Sequence, residues 1–129
     1  MKKRILVVDD NNNNLTLEKD LLEIAGVEVF EAMNCLDGIL IAQRELPDVI
    51  VMDVRLPDMR GSEAATLLRL DPRTRAIPIV FVTASVLPLG KAEIQSIPNS
   101  GFIGKPINTR TFAQEILSFV QIPRPGPGK

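Results

Sequence analysis

Short apolar runs alternate with helix-like segments along the chain, and this alternation restricts the fold more than any other feature. The runs at 4–9, 48–53 and 77–83 are almost wholly apolar. Strands of this composition are buried on both faces, as in parallel sheets that helices cover. Two shorter runs lie at 27–32 and 101–105. We therefore predict an α/β fold with a doubly wound, five-stranded parallel sheet and helices on both faces.

The segments between these runs have the spacing of amphipathic helices. Apolar residues recur every three or four positions, as a helix that is buried on one side requires. They include Leu17, Leu21, Leu22 and Ile24 before Gly26; Leu36, Ile39 and Leu40 before Pro47; Ala64, Ala65, Leu67 and Leu68 before Pro72; and Phe112, Ile116, Phe119 and Val120. A further helix is expected over 86–97, where Pro88 and Gly90 make it short or late to begin.

A single domain accounts for most of the chain. The 129 residues are enough for one hydrophobic core. We expect this domain to span 1–122. The final residues, 123–129, are rich in proline and glycine and are expected to form an extended tail or the start of a linker.

The composition excludes several kinds of chemistry. The chain has no histidine and one cysteine, Cys35, which excludes a Ser-His-Asp triad, a Cys-His pair and an internal disulfide. The 15 basic and 16 acidic residues nearly cancel, which argues against nucleic-acid and anionic-membrane partners. No apolar run approaches the ~20 residues of a membrane helix. We expect a cytoplasmic protein whose chemistry uses carboxylates, hydroxyls, lysine and oxygen-preferring cations.

Polar residues stand at the ends of four of the predicted strands. They are Asp9 and Asp10 after the first, Asp53 after the third, Thr83 after the fourth and Lys105 after the fifth. The carboxyl ends of parallel strands share the edge of the sheet where ligands bind, so we expect these side chains to converge. Three crowded carboxylates favour a hard divalent cation such as Mg²⁺. A carboxylate can also accept a phosphoryl group whose oxygens a lysine and a hydroxyl bind.

Each of these residues also has a simpler interpretation by itself. Asp10, or an asparagine after it, is of a type that N-caps helices. Asp53 can be an ordinary turn acid, Thr83 a strand-end hydroxyl and Lys105 a solvated loop lysine. Complementary groups at four separate strand ends favour the shared site over these separate interpretations.

Four stretches of the sequence, in the same order, resemble the receiver domain of two-component response regulators. They are “VVDDNNNN”, “DVIVMDVRLPDMRG”, “FVTAS” and “GFIGKP”. The resemblance covers 3–120, and the separation of Thr83 from Lys105 is usual in that family. It implies the flavodoxin-like receiver fold of CheY, and the “KPI…F” ending resembles stand-alone receivers of the DivK type.

The resemblance implies a phosphoacceptor and a metal site. Asp53 corresponds to the residue that accepts the phosphoryl group. Asp9 and Asp10 correspond to the acids that bind Mg²⁺ together with Asp53, and the backbone carbonyl of Arg55 is a further implied ligand. Mn²⁺ is an expected substitute for Mg²⁺.

The same resemblance implies a switch. Thr83 corresponds to the hydroxyl that moves toward the phosphoryl group, and Lys105 to the lysine that pairs with it, with a cis bond between Lys105 and Pro106. Phe102 resembles the aromatic residue that turns inward on activation. The alternative for Phe102 is a permanently buried core phenylalanine.

Some positions depart from the family's usual pattern. Pro98 stands where glycine is common, and Gly101 precedes the aromatic residue where a larger side chain is usual. With Pro88 and Gly90, these changes fall on the surface through which receivers bind partners. We expect the phosphorylation chemistry to be intact and the signalling surface to differ.

The leading hypothesis is a phosphorelay switch. A histidine kinase or histidine phosphotransfer protein would phosphorylate Asp53, and a downstream effector protein would bind the altered receiver, itself a monomer or weak dimer. Alternatives are a receiver module of a larger hybrid kinase or regulator, and a docking module that works without phosphorylation. A Mg²⁺-dependent aspartate phosphatase is disfavoured, because such enzymes have a second acid two residues after the nucleophile, where this chain has Arg55.

Overall fold

The computed structural model describes residues 2–83, 97 and 99–120. The described strands and helices follow one another along the chain as β1 (Arg4–Val8), α1 (Asn12–Ile24), β2 (Glu28–Ala32), α2 (Cys35–Glu45), β3 (Val49–Asp53), α3 (Gly61–Leu70), β4 (Ile79–Thr83), β5 (Ser100–Gly104) and α4 (Phe112–Leu117). The five strands form one parallel sheet in the order β2-β1-β3-β4-β5. This confirms the predicted doubly wound sheet.

Some sequence-based expectations lie outside the described residues. They concern residues 86–96 of the expected further helix, its Pro88 and Gly90, the neighbouring Pro98, and the proline- and glycine-rich tail at 123–129.

The hydrophobic core has two halves, one on each face of the sheet. Successive side chains of a strand point to opposite faces. In β1, Ile5 and Val7 pack in the half formed with α1 and α4, whereas Leu6 and Val8 pack in the half formed with α2 and α3. Because helices cover both faces of the sheet, the side chains on each face of a strand are apolar. This explains the continuous apolar runs in the sequence.

Helix α1 buries only part of the stripe that its leucine spacing predicted. Leu17 is 40% exposed and Ile24 is 84% exposed. The buried residues are Leu15, Glu18 and Leu22. Leu15 and Leu22 join the core half on their side of the sheet, and the helical repeat then brings Glu18 onto the same buried side. Of the predicted stripe, Leu22 is buried and Leu21 packs partly against the same core half, whereas the prediction was wrong for Leu17 and Ile24.

Helix α2 packs closely against β1 and buries Ile39 of its predicted stripe, but not Leu36 or Leu40. A Cβ atom added to Gly38 would lie 2.8 Å from Cγ2 of Val8. The buried residues of α2 are Cys35, Gly38, Ile39 and Ala42, whereas Leu36 and Leu40 are 56% and 52% exposed. Leu67 of α3 is likewise exposed, at 48%.

Helix α1 ends at the predicted glycine. Its C-cap is Ala25, and the following Gly26 has a φ of 87°, a left-handed conformation that a residue without a Cβ adopts at little cost. Gly26 is thus confirmed as the stop signal. Of the described helices, none has both the length and the apolar character needed to cross a bilayer.

Gly101 in β5 makes room for an aromatic ring. A Cβ atom at this position would lie 2.4 Å from Cε1 and 2.6 Å from Cζ of Phe119, just after α4. Phe119 packs against the core half that α1 and α4 share. The departure from the family pattern at Gly101 is therefore matched by the close packing of Phe119 on the strand.

Replacing Gly101 should destabilise the protein. Gly101→Ala should lower the free energy of unfolding by about 1–3 kcal/mol, because the added methyl group overlaps the Phe119 ring. Urea denaturation measures the change. Gly104→Ala is the matched control in the same strand, since a Cβ there meets nothing within 4 Å. Equal losses in both variants would contradict the packing argument.

Candidate functional site

The polar side chains at the carboxyl edge of the sheet converge in one cleft. Carboxylate oxygens of Asp9, Asp10 and Asp53 lie within 4.8 Å of one another. The Lys105 Nζ atom lies 3.1 Å from Oδ2 of Asp53 and 3.4 Å from Oδ2 of Asp9. The acids meet because β1 and β3 are neighbours in the sheet, whereas β5 lies two strands from β3. The long lysine side chain bridges that distance.

Asp9 is the buried member of the acidic cluster. Its side chain is almost wholly enclosed, and its Oδ1 accepts a hydrogen bond from the backbone N–H of Asn11 at 2.9 Å. Burial raises the pKa of Asp9, although the Asn11 N–H and the charge of Lys105 oppose the shift. Asp9 is therefore a carboxylate that a nearby cation would stabilise.

An asparagine caps α1, while Asp10 is exposed beside the cluster. The N-cap is Asn11, whose side-chain oxygen accepts a hydrogen bond from the backbone N–H of Asn14 at 3.0 Å. Of the two capping alternatives, the asparagine is correct. Asp10 is therefore not the N-cap, and it lines the same pocket as Asp53.

The two carboxylate oxygens of Asp53 have different partners. Oδ1 accepts a hydrogen bond from the backbone N–H of Arg55 at 2.9 Å, as a turn acid does, while Oδ2 contacts Lys105. Gly61 at the start of α3 packs against this turn, because a Cβ there would lie 2.6 Å from the backbone oxygen of Asp53. The side chain is therefore held in orientation and still lines the pocket.

Lys105 is not the solvated loop lysine that the simpler interpretation described. Its side chain is only 18% exposed. Burial alone would lower the pKa of Lys105, but Asp53 and Asp9 outweigh that effect and raise it, so the ammonium remains charged. Its backbone N–H donates to the carbonyl of Thr83 at 2.7 Å, and the bond to Pro106 is cis.

A pocket of about 330 Å³ joins these groups. It is lined by Asp10, Asn11, Asn14, Asp53, Arg55, Thr83 and Lys105. The pocket therefore holds carboxylates, an ammonium group and a hydroxyl side by side. Phe102 is not among these lining residues. Its side chain on β5 is 37% exposed, so the alternative of a permanently buried phenylalanine does not hold.

The acidic cluster fits a hard divalent cation. Mg²⁺ binds oxygen ligands at about 2.1 Å, which separates opposite ligands by about 4 Å. The oxygens of Asp9, Asp10 and Asp53 lie within 4.8 Å of one another, so they can draw in around one such ion. One ammonium, from Lys105, faces three carboxylates here, and the excess negative charge favours a cation.

Glu18 is the residue near this site that sequence reasoning missed. It is only 2% exposed on the inner face of α1. Burial raises its pKa to about 7, with Asp9 and Asp53 adding to the shift and Lys105 opposing it. Its spacing of three and four residues from Leu15 and Leu22 was the available signal.

The fold is that of a CheY-like receiver. The chemotaxis response regulator CheY4 of Vibrio cholerae superposes with a TM-score of 0.86 at 28% identity, over 92% of this chain and 99% of that one. The receiver domain of a sensor histidine kinase from Pseudomonas aeruginosa gives a TM-score of 0.84 at 25% identity, over 93% and 98%. That structure has a magnesium ion coordinated in its active-site cleft.

Sequence comparison gives the family. The model of the response regulator receiver domain matches residues 5–117. The polar-differentiation response regulator DivK of Brucella anthropi is 33% identical over 120 residues, which cover 93% of this chain and 98% of that protein. The chain therefore belongs to the response regulator receiver family, whose members act in two-component signalling, and the resemblance noted in the sequence is confirmed.

Glu18 should make the stability of the protein depend on pH. Its raised pKa means that the folded protein holds this proton more tightly than the unfolded chain, so stability falls as the pH rises from about 4.5 through about 7. Glu18→Gln is neutral at every pH. Its free energy of unfolding should exceed that of the wild type by about 3 kcal/mol near pH 8.5, and by less than about 1 kcal/mol near pH 5.

Urea denaturation at the two pH values measures this difference. Glu23→Gln is the control, because Glu23 is exposed on the same helix. A gap between Glu18→Gln and the wild type that stays constant with pH would contradict the raised pKa of Glu18.

Proposed function

We propose that this protein is a phosphorelay receiver that accepts a phosphoryl group on Asp53 in a Mg²⁺-dependent reaction and thereby changes its binding to an effector protein. One observation carries the proposal: the Asp53 carboxylate lies in a pocket between the acids Asp9 and Asp10 and the ammonium of Lys105. Membership of the receiver family supports it.

The acidic cluster is the proposed metal site. Asp9, Asp10 and Asp53 would hold Mg²⁺, with Mn²⁺ as a substitute and the backbone carbonyl of Arg55 as a further ligand. The bound ion would supply positive charge that offsets the repulsion among the acids and the charge on the phosphoryl oxygens. The magnesium ion in the similar Pseudomonas aeruginosa receiver supports this assignment.

The phosphoryl transfer uses Asp53 as the nucleophile. A carboxylate oxygen attacks the phosphorus atom of a phosphohistidine, the phosphorus–nitrogen bond breaks, and its electron pair returns to the imidazole. The donor histidine must belong to a kinase or phosphotransfer protein, since this chain has none. The hydrogen bond from the Arg55 N–H to Oδ1 orients the carboxylate for this attack.

Lys105 and Thr83 stabilise the product. The Lys105 ammonium is already 3.1 Å from Asp53 Oδ2 and needs little movement to pair with a phosphoryl oxygen. The Thr83 hydroxyl, on the wall of the same pocket, would donate to another. In this arrangement the protein catalyses its own phosphorylation and dephosphorylation only.

Strand β5 is the proposed route from the site to the surface. Thr83 of β4 pairs with Gly104 of β5, and Phe102 lies two residues earlier on β5. A shift of Thr83 toward the phosphoryl group would free space into which Phe102 turns from its exposed position. We propose that a downstream protein binds this altered surface. The receiver domain is proposed to span 1–122 and to be a monomer or weak dimer.

Asp53→Asn should abolish phosphorylation. Wild type incubated with Mg²⁺ and acetyl phosphate should incorporate acid-labile phosphate, whereas an amide cannot form the acyl phosphate. Mass spectrometry and acid lability of the incorporated phosphate measure the reaction. Asp20→Asn, which removes an exposed acid on α1, should react like the wild type. Incorporation by Asp53→Asn at the wild-type level would show that another residue is the acceptor.

Substitutions at Asp10 and Lys105 should change Mg²⁺ binding in opposite directions. Asp10→Asn removes a ligand charge and should weaken Mg²⁺ binding by about tenfold or more. Lys105→Met removes the competing ammonium and should tighten Mg²⁺ binding several-fold, yet slow phosphorylation by at least about tenfold. Calorimetry and acetyl phosphate kinetics measure the two effects. Weaker Mg²⁺ binding in Lys105→Met would contradict the proposed division of roles.

A further inference from the structure

A second pocket, of about 480 Å³, adjoins the acidic site. Its lining consists of Asn14, Leu17, Glu18, Lys105, Pro106 and Ile107. Asn14 and Lys105 line both pockets, so the two share a wall. The proposed phosphoryl transfer uses none of the other lining residues.

The Glu18 carboxylate has no bonding partner within the described part of the chain. The side chain is 2% exposed, yet it forms no hydrogen bond and no ion pair there. Among the described residues, every fully enclosed side-chain oxygen or nitrogen atom has a hydrogen-bond partner. The Glu18 oxygens must therefore reach the pocket rather than lie sealed in the core.

The charges around Glu18 favour a cation in this pocket. Asp9 and Asp53 act on Glu18 as like charges, and Lys105 acts as an opposite charge. The ammonium of Lys105, however, lies at Asp53 and Asp9, to which it is bonded. Lys105 also lines this pocket, but its ammonium pairs with the two aspartates and forms no ion pair with Glu18.

The other walls are suited to an aliphatic group. Leu17, Pro106 and Ile107 are apolar, and Leu17 is 40% exposed beside the opening. A hydrated metal ion is a poor fit, because it needs several oxygen ligands and keeps its water shell against apolar walls. A cation that carries its own hydrocarbon uses both the carboxylate and the apolar surface.

We propose that this pocket binds an organic monocation, an ammonium or guanidinium group on a short aliphatic chain, with the Glu18 carboxylate as its counter-ion. The side-chain oxygen of Asn14 can accept a further hydrogen bond from the same group. The hydrocarbon lies along Leu17 and Ile107. The site is separate from phosphoryl transfer to Asp53 and does not depend on it.

Nuclear magnetic resonance titration of the unphosphorylated protein tests the proposal. The probes are n-butylammonium and n-butylguanidinium, added without divalent cations so that the charges around Glu18 are those described above. Saturable shifts are expected at the amides of Asn14, Glu18 and Ile107, with dissociation constants of about millimolar order. n-Butanol, of equal length without charge, should produce no saturable shift.

Binding measurements on two variants and at several pH values test whether Glu18 is the counter-ion. Glu18→Gln should weaken binding of the probe cations by about tenfold or more, while Glu23→Gln on the exposed side of α1 should bind like the wild type. Thermal unfolding shows that Glu18→Gln is folded. Affinity should rise between about pH 6 and pH 8 in the wild type and stay constant in Glu18→Gln, because the cation binds the ionised carboxylate.

A second ligand that carries the same guanidinium group distinguishes two sources of the cation, a protein side chain and a free small molecule. Nα-acetyl-arginine N-methylamide presents guanidinium from a peptide backbone. Binding of this compound and of butylguanidinium supports a site that also takes a protein side chain. Binding of butylguanidinium alone supports a site for a free small molecule. Absence of saturable shifts with every cation, or shifts that persist in Glu18→Gln, would overturn the proposal.

Discussion

Crowding three carboxylates at the ends of two neighbouring strands costs free energy, and the Lys105 ammonium offsets part of that cost. It lies 3.1 Å from Asp53 and 3.4 Å from Asp9. The parallel sheet imposes the crowding, because β1 and β3 end at the same edge. The lysine must extend from β5 across the end of β4, where its backbone N–H also bonds to Thr83. Fold and site are therefore coupled through one side chain.

Close packing supports the geometry of the site from beneath. Gly61 lets α3 begin against the backbone of Asp53, and Gly38 lets α2 approach Val8 in β1. In each case a Cβ atom would force the elements apart. The acidic side chains thus project from strands whose positions the two core halves determine, so a substitution far from the acids can still move them.

The negative potential of the site extends beyond its own pocket. Asp9 and Asp53 help to raise the pKa of Glu18, which lies on α1 and lines the adjoining second pocket. A buried carboxylate that has no ion pair or hydrogen bond within the described chain is costly. This cost is the physical reason to regard the second pocket as a site for a cation. It also means that charge added or removed at the acidic cluster would be felt there.

The order of strands and helices followed from local patterns, as did the ends at which polar residues accumulate. Continuous apolar runs specify two-sided burial, and parallel strands bring Asp9, Asp53 and Lys105 to one edge regardless of packing details. The stop of α1 at Gly26 followed from backbone freedom alone. These predictions succeeded because they depend on neighbours along the chain or on topology.

The sequence by itself thus determined the class of fold and the edge at which the site lies. Tertiary structure decided the rotation of each helix, because the exposure of Leu17 and Leu36 depends on how closely neighbouring elements approach. It also decided which alternatives hold for Asp10, Lys105 and Phe102. The burial of Glu18 depends on that same helix rotation, and its raised pKa depends on carboxylates distant in sequence, so only packing in three dimensions could reveal it.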